Sequence, residues 1–262
     1  MIVGKVDSVW RYPVKSMRGE QLPQAFIGFA GVYGDRLYAI RSSKSPKGFP
    51  YLTGREQQHM LLYRPFFRHP SPMTEPPNLS EAEALGPGVT AVFADGADRM
   101  LDVETPSGEV LPVNDPRLLA MLRDGIDPEH ELTLLESDRA MTDCRPLSLF
   151  SIQTARQLGE EAGRDTDKRR FRANVYLDLD SGNGFQEDEF VGRTLRIGDK
   201  VTIAVLERDP RCKMITLDPD TGEADPGIMR SLARSHDGKA GIYAAVLVEG
   251  TIRPGDPVEQ RN

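Results

Sequence analysis

The chain has 262 residues, a formal net charge of −7 at neutral pH and two cysteines. This length allows one elaborate domain or two modest ones, with a sizeable core in either case. The acidic balance argues against nucleic acid as a partner, because neutralising phosphates requires a basic surface. Two cysteines are also too few for an iron–sulfur cluster or a zinc ion held by four thiolates.

The N-terminus and the longest apolar run near the C-terminus bear on location. Residues 1–15 are typical of a strand, not of a charged segment followed by an apolar one, so no secretory signal is predicted. The apolar run AGIYAAVLV at 240–248 is far shorter than the roughly 20 residues needed to span a bilayer. We therefore expect a cytoplasmic protein with no membrane partner and with its cysteines reduced.

Strand patterns dominate the first hundred residues. The predicted strands are IVGKVDSVWRY (2–12), QAFIGF (24–29), RLYAI (36–40), YLT (51–53), VTAVFA (89–94) and RMLDVE (99–104). Their turn-rich spacing predicts a barrel-forming antiparallel sheet. Segment 64–88 contains six prolines and little periodicity, which indicates a long surface loop.

Helices are predicted only in the second part of the chain. They cover 115–125, with Asp115 as a cap and Gly125 at the exit, then 151–163, with Ser151 as a cap, and 227–235. The remaining strands are predicted at 174–179, 194–198, 200–208 and 241–250. The sequence therefore predicts a mostly β fold with a few helices.

Cations and a hydroxyl occur at predicted turns in the first part. Lys15, Ser16 and Arg36 form a set that suits a phosphate or another anion, and Arg55 follows the strand YLT. The alternative is a solvated surface with weak ion pairs, which is the common fate of such residues.

A second cationic group, KRRFRAN, precedes the predicted strand NVYLDL. Arg172 and Asn174 alternate onto one side of an extended chain, so both side chains could face one ligand. A charged helix end accounts for residues 168–170, but less well for Arg172 and Asn174.

Cys212 lies in the polar loop RDPRCKMITLDPDTG, between Arg211 and Lys213. Neighbouring positive charge favours the thiolate, which is the nucleophilic and metal-binding form. The alternative is a small buried apolar residue, but the polar surroundings offer little to pack against. Cys144 precedes an apolar run and is predicted to be a spectator. The histidine spacing predicts no zinc site.

Taken together, these segments resemble the MOSC proteins, a family named for the C-terminal domain of molybdenum-cofactor sulfurases. The resemblance is to the branch with an additional N-terminal β-barrel domain. VWRYPVKSMRGE, GVYGDRLYAI and YLTGRE resemble the motifs of that N-terminal domain. RFRAN, FQEDEFVGRTLRIGD, RCKMITLDPDTG and GTIRPGDPV resemble those of the MOSC domain. The resemblance implies an N-terminal β-barrel-like domain over 1–114, packed on a MOSC β-barrel domain over 115–262.

The resemblance also implies a cofactor and a set of site residues. Characterised relatives include the amidoxime-reducing components, which reduce N-hydroxylated compounds at a molybdenum atom held by a pterin. It implies that Cys212 is the catalytic metal ligand of a bound molybdenum cofactor, Mo-molybdopterin. It further implies that the phosphate and pterin are held by Lys15, Ser16, Arg36, Arg55, Ser151, Arg172 and Asn174. The chain departs from the family pattern at Ile152, Ala173, Phe190 and Asp209.

The leading hypothesis is therefore a molybdenum-dependent oxidoreductase that reduces small N-hydroxylated or N-oxide compounds. Because the sequence has no ferredoxin-like cysteine cluster, electrons are expected from a separate redox protein. Two alternatives stay open. One is a cofactor carrier without turnover, and the other is a sulfur carrier that uses a persulfide on Cys212.

Overall fold

A computed structural model describes residues 1–70, 73–80 and 96–261. Its strands and helices, in chain order, are β1 (Ile2–Arg11), β2 (Glu20–Leu22), β3 (Ala25–Gly28), β4 (Gly31–Val32), β5 (Tyr38–Ser42), β6 (Arg64–Phe67), β7 (Leu101–Glu104), β8 (Val110–Pro112), α1 (Pro116–Leu122), β9 (Leu132–Glu136), β10 (Leu147–Ser151), α2 (Ile152–Ala162), β11 (Val175–Leu179), β12 (Thr194–Ile197), β13 (Val201–Pro210), α3 (Pro226–Ser235), β14 (Lys239–Val248), β15 (Gly250–Ile252) and β16 (Pro257–Arg261). The mostly β fold class with a few helices is confirmed.

Seven strands close into a barrel. Their order is β11, β10, β14, β13, β12, β16 and β1, and the pairing of β1 with β11 completes the ring. β10 and β11 are parallel, whereas β1 is antiparallel to both of its neighbours in the ring. The interior is filled by aliphatic side chains, including Val6, Val9, Leu177, Leu195 and Ile203. Because closure removes exposed edges, each barrel strand is hydrogen-bonded on both sides.

A second apolar cluster lies beside the barrel. It is built from β5 paired with β9, from the sheet β6–β7–β8 and from α1, and it includes Ile40, Leu52, Met60, Leu101 and Leu118. Thus β1, at the start of the chain, belongs to the barrel, while α1 and β9 pack in this second cluster. The division after residue 114 stays a prediction.

A third cluster is formed by the segments around α2 and α3. Phe150 stacks on Phe171 with 4.1 Å between ring centroids, and Leu158, Ile228 and Leu232 pack in the same cluster. This packing matters for function because Phe171 directly precedes Arg172, and Phe150 lies at the end of β10. The aromatic stack therefore anchors the loop that enters β11.

The three predicted helices are confirmed, with the N-caps Asp115 and Ser151, but α1 ends at Leu122 and not at the predicted exit Gly125. Asp115 accepts a hydrogen bond from the backbone of Arg117 at the start of α1, and Ser151 accepts one from Thr154 at the start of α2. Gly163 ends α2 with φ = 69°, a left-handed conformation that suits glycine.

Some strand predictions were wrong, and one concerns residues that the structure does not describe. Residues 64–67 form β6 rather than loop, and Pro65 is tolerated because β6 is an edge strand that pairs only with β7 among the described strands. At the predicted strand 51–53, only an isolated bridge joins Tyr51 to Arg41. The predicted strand 89–94 lies outside the described residues. No helix in the described ranges is long and apolar enough to cross a bilayer.

Candidate functional site

A cleft forms where the loops that follow β1 and β13 meet the loop that enters β11. Its volume is about 300 Å³, within the range of small-molecule sites. Seven of the eight predicted site residues line it: Lys15, Ser16, Arg36, Arg55, Arg172, Asn174 and Cys212. The fold thus brings into one cleft residues that are widely separated in the sequence.

The eighth predicted residue, Ser151, is not among the described residues that line the cleft. Its hydroxyl accepts a hydrogen bond from the backbone N–H of Thr154 at 3.1 Å and donates to the buried carboxylate of Glu187 at 2.8 Å. Glu187 also accepts from the Thr154 hydroxyl at 2.9 Å. The observed role of Ser151 is to cap α2, and its contact with a cofactor stays a prediction that this geometry does not support.

Two arginines of the cleft lie over the same aromatic ring. The guanidinium carbons of Arg36 and Arg172 are 4.9 and 4.3 Å from the ring centroid of Tyr12. Arg36 pairs with the buried carboxylate of Asp35 and donates to the carbonyl of Arg172 at 3.2 Å. Arg36 is therefore held in place by the protein itself.

Arg172 differs from Arg36, whose charge is paired with Asp35, because Arg172 forms no ion pair among the described residues. Its Nη2 is buried and makes no hydrogen bond within the described residues. Burial, reinforced by the charge of Arg36, lowers the pKa of Arg172. A buried donor without a partner is costly, so an anion in the cleft would relieve this cost.

The backbone of the cleft is strained at three residues. Ser16, Arg36 and Arg172 have φ values of 66°, 48° and 52°, in the left-handed region that side chains other than glycine rarely adopt. Each such residue costs on the order of 1 kcal/mol, and such residues concentrate at functional sites. The backbone strain is therefore evidence, separate from the charge of the cleft, that the cleft is a functional site.

This strain gives a prediction on stability. We expect cofactor-free Arg172→Gly to be more stable than cofactor-free Arg172→Ala by about 1 kcal/mol, because both lack the guanidinium and only alanine keeps the left-handed penalty. Urea unfolding of the two variants measures the difference. Equal midpoints and slopes would show that the backbone at this position is not strained.

Lys15 lies deep in the cleft wall. Its ammonium donates to the carbonyl of Met141 at 2.9 Å, to the carboxylate of Asp143, and lies 4.6 Å from the ring centroid of Tyr51. Burial lowers the pKa of Lys15, and the charge of Asp143 counteracts this effect. Asp143 was missed in the sequence analysis, because the two residues are 128 positions apart.

Arg55 and Asn174 occupy different depths of the cleft. Arg55 is partly exposed, donates to the hydroxyl of Thr53 at 3.2 Å and lies over the ring of Phe49 at 4.9 Å. Asn174 is buried, and its side-chain oxygen accepts from the hydroxyl of Ser148 at 3.0 Å. Its amide group donates to the carbonyl of Trp10 at 3.4 Å. Arg55 is thus available to a ligand, whereas Asn174 holds β10, β11 and β1 together.

Cys212 is exposed and begins the 3₁₀ turn Lys213–Thr216. The two cations that flank Cys212 donate their hydrogen bonds to backbone carbonyls and not to the thiol. Arg211 donates to the carbonyls of Ala240 and Phe171 at 2.7 and 2.8 Å. Lys213 donates to the carbonyl of Arg55 at 3.1 Å. These side chains fix the loop, and the thiol is left open to the cleft.

The sequence did not predict a buried ion pair at the cleft, between Asp209 and Arg211. Asp209 forms an ion pair with Arg211 at 2.9 Å and a hydrogen bond with the side chain of Tyr243, which also lines the cleft. Burial raises the pKa of Asp209 to about 6, although the charge of Arg211 opposes the shift. The sequence had marked Asp209 only as a departure from the family pattern, since nothing local indicates its burial.

The charge of the cleft is opposite to that of the chain. Among the described residues, its lining includes seven cations, Lys15, Arg36, Arg55, Arg145, Arg170, Arg172 and Arg211, against two carboxylates, Asp143 and Asp209. No group of three or more His, Cys, Asp or Glu side chains in the described ranges could hold a metal. The excess of cations therefore fits an anionic ligand.

Comparison with known families agrees with this fold. Residues 136–259 match the MOSC domain, and residues 3–74 match the MOSC N-terminal beta barrel domain. Together the two matches cover most of the chain. The chain belongs to the MOSC domain proteins.

Individual relatives fall into two groups. The chain is 25% identical to mitochondrial amidoxime reducing component 2 of Rattus norvegicus, over 98% of this chain and 83% of that protein. It is 37% identical to the molybdenum cofactor sulfurase of Drosophila grimshawi, over 42% of this chain but only 14% of that protein. Among solved structures, YuaD of Bacillus subtilis covers 99% of this chain and 96% of its own, with a TM-score of 0.48 and 13% identity.

Proposed function

We propose that this protein is a molybdenum-cofactor enzyme that reduces N-hydroxylated or N-oxide compounds by two electrons, with Cys212 as a metal ligand. The observation that carries the proposal is a single cleft that contains an exposed thiol and a buried guanidinium nitrogen, Nη2 of Arg172, which makes no hydrogen bond to the described residues. A cofactor with an anionic phosphate at one end and a thiolate-seeking metal at the other satisfies both groups.

Different residues of the cleft would bind different parts of the cofactor. Arg172 is free to bind the phosphate or the pterin, and Arg36, held by Asp35, keeps Arg172 in position through its carbonyl. Arg55 lies at the mouth and can add a further donor. Cys212 offers one soft ligand, which suits a metal whose other ligands come from a dithiolene. Mo-molybdopterin, when bound, supplies the two-electron chemistry.

The proposed reaction determines the partners. Reduction of an N–OH group takes up two electrons and two protons and yields N–H and water. A small-molecule substrate enters the cleft, and a separate redox protein supplies the electrons. The similarity to the amidoxime reducing components extends over 98% of the chain, which supports a reaction of this class. We place the protein in the cytoplasm.

A second candidate function is sulfur transfer. The similarity to molybdenum cofactor sulfurase and the exposure of Cys212 support a persulfide on this residue. A carrier of the cofactor without turnover would use the same cleft. These alternatives differ from the enzyme in what the purified protein contains and in what it turns over.

The test is the metal and pterin content of the wild-type chain. The protein is purified from a host that makes the cofactor, molybdenum is measured by elemental analysis, and pterin is measured by fluorescence after oxidation. We expect both near one per chain, and reduction of an aromatic amidoxime by the loaded protein with reduced viologen as electron donor. Bound cofactor without reduction favours the carrier, whereas a persulfide on Cys212 without metal favours the sulfur carrier.

A further inference from the structure

A turn that lies outside the predicted site connects three segments of that site. We propose that Asp218 and Asp220, in the acidic turn 218–222, are positioning residues that hold the loops bearing Lys15, Arg172 and Cys212 against one another. The acidic turn, DPDTG, forms the end of the polar loop 208–222 that contains Cys212, and the sequence analysis assigned no role to its two aspartates. The functional meaning of these loops rests on the proposed function, but their connection does not.

The acidic turn is ordered by its own first residue. One carboxylate oxygen of Asp218 accepts hydrogen bonds from the backbone N–H groups of Asp220 and Thr221 at 2.9 and 3.0 Å. The carbonyl of Asp218 accepts from Gly222 at 2.9 Å. These bonds leave the second carboxylate oxygen of Asp218 and the whole carboxylate of Asp220 free to bind side chains from elsewhere.

Asp218 ties the loop that carries Arg172 to the loop that carries Cys212. Its second oxygen accepts from Nη2 of Arg170 at 2.8 Å, while Nη1 of Arg170 donates to the carbonyl of Thr216 at 2.9 Å. Arg170 lies two residues before Arg172 and lines the cleft. Thr216 ends the 3₁₀ turn that Cys212 begins. One guanidinium therefore connects both loops.

Asp220 brings in the third segment. Its carboxylate accepts from Nη1 and Nη2 of Arg169 at 3.1 and 2.5 Å, and from Arg18 at 2.8 Å. Arg18 also donates to the carbonyl of Pro219 at 3.2 Å. Arg18 follows Ser16 by two residues, so this contact fixes the Lys15–Ser16 turn relative to the other two loops.

The ion pairs of the acidic turn are better suited to positioning the three loops than to stabilising the fold. The side chain of Asp220 is half exposed, and exposed ion pairs contribute little to folding. In contrast, the three loops are joined through the side chains of the acidic turn, and small displacements at a site of this kind have large effects. Removing a carboxylate should therefore loosen the cleft while the fold keeps most of its stability.

The test uses the full chain without cofactor, purified from a host that cannot make it. The variants are Asp218→Asn and Asp220→Asn. Asp102→Asn is the matched control, because Asp102 holds Arg68 through contacts of 2.7 to 3.0 Å on the distant sheet β6–β7–β8. The alkylation rates of Cys212 and Cys144 by iodoacetamide are followed peptide by peptide, with Cys144 as the internal reference.

We expect Cys212 to react about threefold faster or more in the acidic-turn variants, a factor that corresponds to the low end of the coupling between members of one ion-pair network. Cys144 and the thermal midpoint should change little, and Asp102→Asn should match wild type. Asp220→Glu should restore the wild-type rate. Acidic-turn variants that react like Asp102→Asn would overturn the proposal, as would equal acceleration of both cysteines.

A further variant separates the contact of Arg18 from the folding of the acidic turn. If Asp218→Asn does not fold, Arg18→Gln removes only the contact with the first segment, and its effect should not add to that of Asp220→Asn. Because alkylation is measured on protein without cofactor, the result does not depend on molybdenum binding. Failure of the proposed function and failure of the positioning role are therefore separate results.

Discussion

Replacing Cys212 with alanine is expected to lower the molybdenum content at least about tenfold while leaving most of the pterin bound. Loss of even an outer partner of a metal ligand costs about 10- to 100-fold in affinity, and loss of the ligand should cost more. The pterin should remain because the cationic wall, with the free Nη2 of Arg172, is not altered. Elemental analysis and pterin fluorescence on one preparation give both values.

The matched control is Cys144→Ala. Cys144 also lines the cleft and is exposed, and its thiol donates to Glu207 at 3.6 Å. Desolvation together with the charge of Glu207 raises the pKa of the Cys144 thiol, which disfavours the metal-binding form. This variant should keep its molybdenum. Retention of full molybdenum by Cys212→Ala, or its loss from Cys144→Ala, would contradict the assignment of the ligand.

Replacing Arg172 with glutamine is expected to remove most of the pterin together with the metal. A buried charged contact to a phosphate contributes about 2–4 kcal/mol, so its loss weakens binding roughly 30- to 1,000-fold. Arg172→Lys should retain part of the affinity, because lysine keeps the charge but loses the planar fork of donors. The measurement is the pterin content after extensive dialysis, with the folded state checked by circular dichroism.

Arg145→Gln provides the comparison for Arg172. Arg145 lines the same cleft, but its Nε already donates to Glu207 at 2.7 Å and its side chain is nearly half exposed. Its charge is therefore largely committed and screened, and the variant should keep its pterin. If the two variants lose pterin equally, the cleft acts through its total charge rather than through Arg172.

The parts of the molecule that the sequence predicted well are those determined locally. The caps Asp115 and Ser151 and the exit at Gly163 follow from side-chain and backbone preferences of a few neighbouring residues. Four of the seven cationic residues that line the cleft, Lys15, Arg36, Arg55 and Arg172, were predicted because their types and their family motifs indicate anion binding. Seven of the eight predicted residues line one cleft, although their roles in binding a cofactor stay predictions.

The parts that the sequence did not predict depend on contacts between distant residues. Asp143 beside Lys15, and the burial of Asp209 against Arg211 and Tyr243, arise only when separate segments pack together. The charges that flank Cys212 were expected to favour its thiolate, but Arg211 donates its hydrogen bonds to backbone carbonyls. Residue type and spacing indicate which chemistry is present, whereas the fold decides which partner each group has.

The position of β1 in the barrel determines when the barrel can close during synthesis of the chain. β1 leaves the ribosome long before β16, yet the two strands pair, and the amino group of Met1 donates to the carbonyl of Gln260 at 3.0 Å. At about 5–20 residues per second, β1 waits roughly 10–50 seconds for this neighbour. Until then its edge is unpaired and prone to pair with other chains. Barrel closure therefore waits until β16 has been synthesised, and nascent chains of this protein should depend on chaperones that cover exposed strands.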